Sequence, residues 1–215
     1  MEIKIVQNLL AANDSVAAEN RTALDAAAVT AFNIMGSPGS GKTSLIERAI
    51  TALRGVVRAA VIEGDIATCY DAERIAKLEV PVVQIATGGE CHLDAAMVKQ
   101  AVEQIDLAAI DVLIIENVGN LVCPSEFDLG EHVRVVVSSF AEGDDKPEKY
   151  PQMFLNADAV VLNKLDLAPL VEFNVPAFER RVRDLKPGAP VFVLSCRTGE
   201  GIDAWAGWVR ARLAA

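Results

Sequence analysis

The segment Gly36-Ser-Pro-Gly-Ser-Gly-Lys-Thr43 has the residue types and spacing that a bound triphosphate requires, G-x-x-x-x-G-K-[ST]. Gly36, Gly39 and Gly41 let the backbone curl until successive N–H groups point at phosphate oxygens, with Ser37, Ser40 and Ser44 beside them. A helix starting near Lys42 aims its positive end at the same phosphates. Lys42 is expected to reach the β- and γ-phosphates, and Thr43 to place its hydroxyl on Mg²⁺. The loop alone separates neither ATP from GTP nor a kinase from a hydrolase.

A second segment, Asn163-Lys-Leu-Asp166, follows a short apolar run. The Asp166 carboxylate matches the paired donors of guanine, N1–H and the 2-amino group, which adenine does not offer at that edge. Asn163 can bond the base edge and tie neighbouring loops, and the Lys164 stem can lie across the base plane. Ser195-Cys-Arg-Thr-Gly199 suits a loop closing over the guanine from the other side, which adds Ser195, Cys196 and Arg197 to the nucleotide site. Two further run ends carry acids, at Glu63-Gly-Asp65 leading to Asp71, and at Glu116. Asp65, Asp71 and Glu116 are the candidate carboxylates for Mg²⁺ beside the triphosphate. Lys42, Thr43, Asp65 and Glu116 are therefore the residues expected to act on a transferring phosphate.

Cys91, His92 and Cys123 offer thiolate and imidazole, which suit Zn²⁺ and can suit Ni²⁺. The chain has no C-x-x-C pair, and three ligands leave tetrahedral zinc one short. The other reading is that such cysteines are small buried hydrophobes. Cys123 lies a few residues after Glu116, so a ligand there would couple metal binding to nucleotide state.

The elements that must position these residues are legible as alternation. Short apolar runs at residues 29–35, 56–62, 80–85, 112–115, 133–138, 159–162 and 191–194 are separated by stretches of helical character. Most runs lack polar alternation, as strands buried on both faces do, so the expected class is α/β with a mostly parallel sheet of seven strands. Ligands then belong at the carboxyl ends of the strands, where every segment above lies. Residues 1–28, with Val6, Leu9, Leu10, Val16 and Leu24, suggest one or two amphipathic helices packed as an extension on a G domain of residues 29–215. A closing helix over residues 202–213 would turn Ile202, Trp205, Trp208, Val209 and Leu213 inward.

The 215 residues carry a net charge of −10 and are 52% hydrophobic. That acidity argues against a nucleic-acid partner, because Arg180, Arg181, Arg183, Arg210 and Arg212 read as solvated helix faces. No apolar stretch is long enough to span a membrane, and Met1-Glu-Ile-Lys-Ile lacks the layout of a signal peptide, so the expected location is the cytoplasm. The four cysteines, Cys69, Cys91, Cys123 and Cys196, are too scattered for a disulfide frame.

Several longer segments together resemble the HypB-type hydrogenase nickel-incorporation GTPases, metallochaperones of the P-loop class: Met1-Glu-Ile-Lys, Glu19-Asn-Arg21, the phosphate loop, Glu63-Gly-Asp-Ile-Ala-Thr68, Asp71-Ala-Glu-Arg-Ile75, Thr87-Gly-Gly-Glu-Cys-His-Leu-Asp94, Glu116-Asn-Val-Gly-Asn-Leu-Val-Cys-Pro124, Asp145-Lys-Pro-Glu-Lys-Tyr-Pro151 and Asn163-Lys-Leu-Asp-Leu167. The combination of the Cys91-His-Leu-Asp94 and Glu116–Pro124 segments separates the chain from urease-type accessory GTPases, whose metal motif is Cys-Pro-His. The resemblance implies a P-loop NTPase three-layer fold, slow hydrolysis of GTP to GDP, and a homodimer formed with GTP. It also implies nickel or zinc held at the dimer interface by Cys91, His92 and Cys123. A HypA-type nickel metallochaperone is the implied partner and the large subunit of a [NiFe]-hydrogenase the implied client. The chain has no Cys-rich nickel site and no His-rich tract near its N-terminus, and Lys146 and Lys149 are candidates for contacts across the dimer. The alternatives are a GTP-gated metal scaffold in which hydrolysis is incidental, and a urease-type accessory GTPase.

Overall fold

The computed structural model describes residues 4–65 and 70–213, with side chains from residue 10 onward. Met1 to Ile3, the Ile66–Thr68 end of one matching segment, Cys69, and the side chains of Val6 and Leu9 lie outside the described residues. In chain order the elements are α1 (Lys4–Ala26), β1 (Thr30–Gly36), α2 (Lys42–Leu53), β2 (Ala59–Asp65), α3 (Tyr70–Ala76), β3 (Val82–Ala86), α4 (Ala95–Val102), β4 (Val112–Glu116), β5 (Val133–Ser139), α5 (Lys146–Lys149), α6 (Pro151–Leu155), β6 (Ala159–Asn163), α7 (Val175–Leu185), β7 (Val191–Val193) and α8 (Ile202–Leu213).

All seven expected strands form, and they make one sheet in the order β3-β2-β4-β1-β5-β6-β7. Every described pairing in it is parallel. Parallel strands need crossovers, and all but the β4–β5 connection carry α-helices, which with α1 and α8 cover both faces. Phe32 and Ile34 of β1 point to one face, against Leu45, Ile46 and Ile50 of α2 and Trp205 and Val209 of α8. Ala31 and Met35 point to the other, where α1 and α4 cover one half and α6 and α7 the other. The strand period of two thus sorts one run of apolar residues into two cores.

The outer strands differ from expectation. All five residues of β3 and all three of β7 retain some exposure, because an edge strand has a neighbour on one side only. Residues 56–58 precede β2 rather than opening it, and Val56 stays exposed.

The N-terminal residues form one helix, not two, and α1 is fastened by polar side chains. Asn20 is buried and donates through Nδ2 to the carbonyls of Ala95 and Leu129, each at 2.9 Å. Asn13 donates to the Asp128 carbonyl at 2.8 Å and accepts from the Ala95 N–H at 2.9 Å. Arg21 reaches the Asp128 carboxylate and the Glu131 carbonyl. His132 accepts from the Ala31 N–H and faces Asp25, so this histidine is a tie between α1 and the sheet. Among the described residues no helix is long and apolar enough to cross a membrane.

Replacing Asn20 with Ala strands two buried carbonyls, a loss of about 1–3 kcal/mol. Denaturant unfolding should show that loss, with hydrogen exchange accelerated first in α1; an unchanged midpoint would contradict the fastening role.

Candidate nucleotide site and adjoining metal cluster

β1 lies between β4 and β5, where the connections switch direction, and the phosphate loop leaves its carboxyl end. Gly41 has φ +97°, and a side chain there would run into the Asn163 amide. It caps α2 without a side-chain bond, so the first N–H groups of that helix face the loop. Lys42 is buried and curls back on the loop, its Nζ 3.5 Å from the Gly36 carbonyl and 3.4 Å from that of Ser37. Thr43 donates its hydroxyl to Glu116 Oε1 at 2.9 Å.

These residues open onto a cavity of about 490 Å³ lined by Gly39, Gly41, Lys42, Thr43, Ser44, Glu63, Asp65, Asp71, Arg74, Glu116 and Lys164, among others. Three acids singled out from the sequence meet here. Asp65 ends β2, Glu116 ends β4, and Asp71 pairs with Arg74 at 3.0 Å in the first turn of α3. Sequence reasoning missed two members. Glu63 is 2% exposed and is pushed up to about 10, by burial first and by the adjacent Glu116 second. Burial raises Glu116 as well, against the opposing field of Lys42. Arg74 bridges α3 to α2 through Glu47 at 2.7 Å and the Ser44 hydroxyl at 3.1 Å. The signal that could have found Glu63 was its place directly after the apolar run of residues 56–62.

A second cavity, of about 470 Å³, adjoins the first and is lined by Gly41, Ser44, Glu47, Arg48, Thr51, Asn163, Lys164, Asp166, Leu167, Cys196 and Arg197. Asp166 accepts from the Ser195 hydroxyl at 2.5 Å, which with a weaker field from Arg197 holds the carboxyl below its usual range. It is therefore a charged acceptor with a fixed orientation. Ser195 itself is fully buried and works from behind Asp166, not from the cavity wall. Asn163 is the joint between loops: its Nδ2 donates to the Ser40 carbonyl at 3.0 Å, and its Oδ1 accepts from the N–H groups of Lys164 and Cys196 at 2.7 and 3.1 Å. Lys164 crosses between the cavities to reach the Gly39 carbonyl at 2.5 Å. Ser37 and Ser40 are buried beneath the loop; the Ser37 hydroxyl bonds Glu142.

Cys91, His92 and Cys123 converge as a third feature. One ligand atom from each lies within 4.8 Å of the others, with the two sulfurs 2.9 Å apart. The His92 ring packs on Phe127, centroids 4.0 Å apart, which steadies the imidazole. The neighbouring Cys91 thiol raises that of Cys123. Cys196 does not join them: burial pushes its thiol up to about 11, and it is a small hydrophobe beside the second cavity. Asn120 links the cluster to the phosphate loop. Its N–H donates to the Gly36 carbonyl at 3.1 Å and its Nδ2 to the Cys91 carbonyl at 3.2 Å. Gly119 beside it lies against Pro38, where a Cβ would be 3.0 Å from the proline ring.

The remaining basic candidates are engaged. Lys146, half-buried, lies 3.9 Å from Glu142 and over the Tyr150 ring, while Lys149 pairs with Asp145. Arg181, read from sequence as solvated, pairs with Asp144 and Glu148.

Asn163→Ala would release the Ser40 carbonyl and the Cys196 N–H together. A stability loss of about 1–3 kcal/mol is expected, with weaker nucleotide binding measured by fluorescence titration. Full affinity in the variant would show that the joint is dispensable.

The comparisons with known proteins agree with this geometry. The family described as CobW/HypB/UreG, nucleotide-binding domain, matches residues 30–193. The hydrogenase maturation factor HypB of Azotobacter vinelandii is 48% identical over 207 residues, covering 96% of this chain and 68% of that one. The probable hydrogenase maturation factor HypB of Methanocaldococcus jannaschii is 46% identical, covering 94% and 91%. The crystal structure of HypB from Helicobacter pylori in complex with nickel superposes with a TM-score of 0.89 at 39% identity, covering 94% of this chain and 95% of that one. The signal recognition particle receptor FtsY of Elizabethkingia anophelis, at 16% identity and a TM-score of 0.58, shares the fold alone. The chain belongs to the CobW/HypB/UreG family of P-loop nucleotide-binding proteins, among its HypB hydrogenase maturation factors.

Proposed function

We propose that this protein binds and hydrolyses GTP and uses that cycle to control delivery of nickel during maturation of a [NiFe]-hydrogenase. The observation that carries the proposal is Asn120, bonded at once to Gly36 of the phosphate loop and to Cys91 of the thiol cluster. A change at the loop is thereby transmitted to the metal ligands through two hydrogen bonds.

Asp166 selects guanine by accepting from N1–H and the 2-amino group, Asn163 and Cys196 shape the pocket wall, and the Lys164 stem covers the base. Lys42 exchanges the carbonyls of Gly36 and Ser37 for β- and γ-phosphate oxygens, joined by the N–H groups of residues 39–44. The donor set of Thr43, Glu116, Asp65 and Asp71, all oxygen, fits Mg²⁺. Bound there, Mg²⁺ would neutralise charge on the β- and γ-oxygens. In hydrolysis a water oxygen bonds the γ-phosphorus while the β–γ bridging P–O bond breaks, leaving GDP and phosphate. Turnover is slow, because Arg74, the arginine lining the phosphate cavity, is committed to Glu47 and Asp71 and is not free to act as an arginine finger.

Nickel is the cargo. Cys91, His92 and Cys123 hold Ni²⁺ or Zn²⁺, with the fourth position taken by water or by a second subunit in a GTP-dependent homodimer. The exposed Val122 beside Cys123 suits burial in such a pairing. A HypA-type nickel protein and the hydrogenase large subunit are the proposed partner and client, and Lys146 and Lys149 the candidates for contacts across the dimer.

Asp166→Asn should weaken GTP binding by about 2–3 kcal/mol, roughly 30- to 150-fold, and improve binding of xanthine nucleotides, whose 2-oxo group accepts from the new amide. Competition titrations measure both; an unchanged preference for guanine would remove Asp166 from the base site. Cys123→Ala should keep GTP affinity and lose the metal. Light scattering with elemental analysis of the same sample, with GDP and with a non-hydrolysable GTP analogue, tests it. Full nickel content in the analogue-bound variant would sink the coupling of cluster to nucleotide.

A further inference from the structure

We infer that Glu63, paired with Glu116, is a second buried carboxylate of the divalent-cation site beside the triphosphate, as a direct or water-mediated ligand. The inference rests on the nucleotide reading above and adds a residue that is not among the candidate magnesium carboxylates.

The first ground is register. β2 and β4 pair in parallel with Glu63 opposite Glu116, so the two side chains leave the same face of the sheet side by side. The second is burial with incomplete pairing: the two carboxyls hydrogen-bond each other, and one oxygen on each is left over. Glu63 is 2% exposed and Glu116 5%, yet Glu63 Oε1 and Glu116 Oε2 each lack a hydrogen-bond donor. Both residues line the cavity that holds Lys42 and Thr43. The third is a comparison inside the same molecule. Glu131 is equally buried, at 3%, but its Oε1 accepts from Asn33 and Arg134 and its Oε2 from the Leu129 N–H. That is how a structural glutamate is satisfied in a core.

Glu63 has no such arrangement, although cationic side chains are close. Lys42 is turned to the carbonyls of Gly36 and Ser37, and Arg74 is committed to Glu47 and Asp71. Two adjacent buried carboxyls repel when both are charged, and a hard divalent cation between them relieves the repulsion. The Thr43 hydroxyl, already on Glu116 Oε1, supplies a third oxygen to the same position. Asp65, at the exposed end of β2 opposite Ala86, lies two residues further out.

The test is Glu63→Gln in the full chain, which keeps the shape and removes the charge. Mn²⁺ serves as the probe for Mg²⁺, and its affinity for the GDP complex is read by electron paramagnetic resonance. GDP affinity is measured separately in EDTA by fluorescence, and the unfolding temperature of the nucleotide-free variant is recorded. Mn²⁺ binding is expected to weaken about 10- to 100-fold, with GDP binding in EDTA and the unfolding temperature maintained. Mn²⁺ affinity equal to that of the native protein would overturn the inference while leaving the nucleotide reading intact. A lowered unfolding temperature with unaltered Mn²⁺ binding would assign Glu63 a structural role and overturn it equally. Failure of the native protein to bind GDP with Mg²⁺ present would instead count against the nucleotide reading. Should the glutamine variant not fold, Glu63→Asp retains the charge on a shorter stem. Weaker Mn²⁺ binding in that variant supports the inference, and native affinity overturns it.

Discussion

A phosphate-binding loop must present its N–H groups inward, so its carbonyls and side chains must find partners behind it. Here the partners are the other loops of the site. The Gly36 carbonyl takes Asn120, the Gly39 carbonyl takes Lys164, and the Ser40 carbonyl takes Asn163. The Ser37 hydroxyl goes to Glu142, that of Thr43 to Glu116, and that of Ser44 to Arg74. One backbone curl thus sets the place of segments drawn from β2 to β6. Because backbone polar groups cannot be left unpaired in a buried site, the loop and its neighbours have to be built as one object.

The base-reading side follows from that arrangement. Asn163 bonds Ser40, Lys164 and Cys196 through both ends of its amide, which fixes its position and leaves one amide N–H for the base edge. Asp166, three residues further on, inherits that rigidity and is aimed by Ser195 from behind. A carboxylate so oriented discriminates by geometry and charge together, and it loses little freedom on binding.

The proposed metal site of Cys91, His92 and Cys123 depends on the same loop. Cys91 and His92 come from the segment after β3 and Cys123 from the segment after β4, and neither segment belongs to a regular element at the ligands' backbone beyond a single turn. Asn120 holds the two together by its bonds to Cys91 and Gly36, and Gly119 makes room for the approach by lacking a side chain against Pro38. Ligands carried on short segments anchored at one end change spacing readily, which is the property a releasing site requires.

By itself the sequence determined the elements and the marked chemistry. Apolar runs and their intervals gave seven strands and their alternation with helices, because strands buried on both faces leave an unbroken hydrophobic trace. G-x-x-x-x-G-K-T and Asn163–Asp166 were legible because phosphate and guanine each demand a fixed set of groups at short range. Only the tertiary structure decided what depends on lateral neighbours. Strand order put β1 between β4 and β5, and register set Glu63 against Glu116. In sequence Glu63 is one acid at the end of a run, and nothing local names Glu116 as its neighbour. Likewise, the 2.9 Å approach of Cys91 to Cys123, 32 residues apart, arises because the loops after β3 and β4 leave the same, carboxyl end of a parallel sheet. Pairing across a sheet is a long-range property, so the types of the residues could be read from the chain and their partners could not.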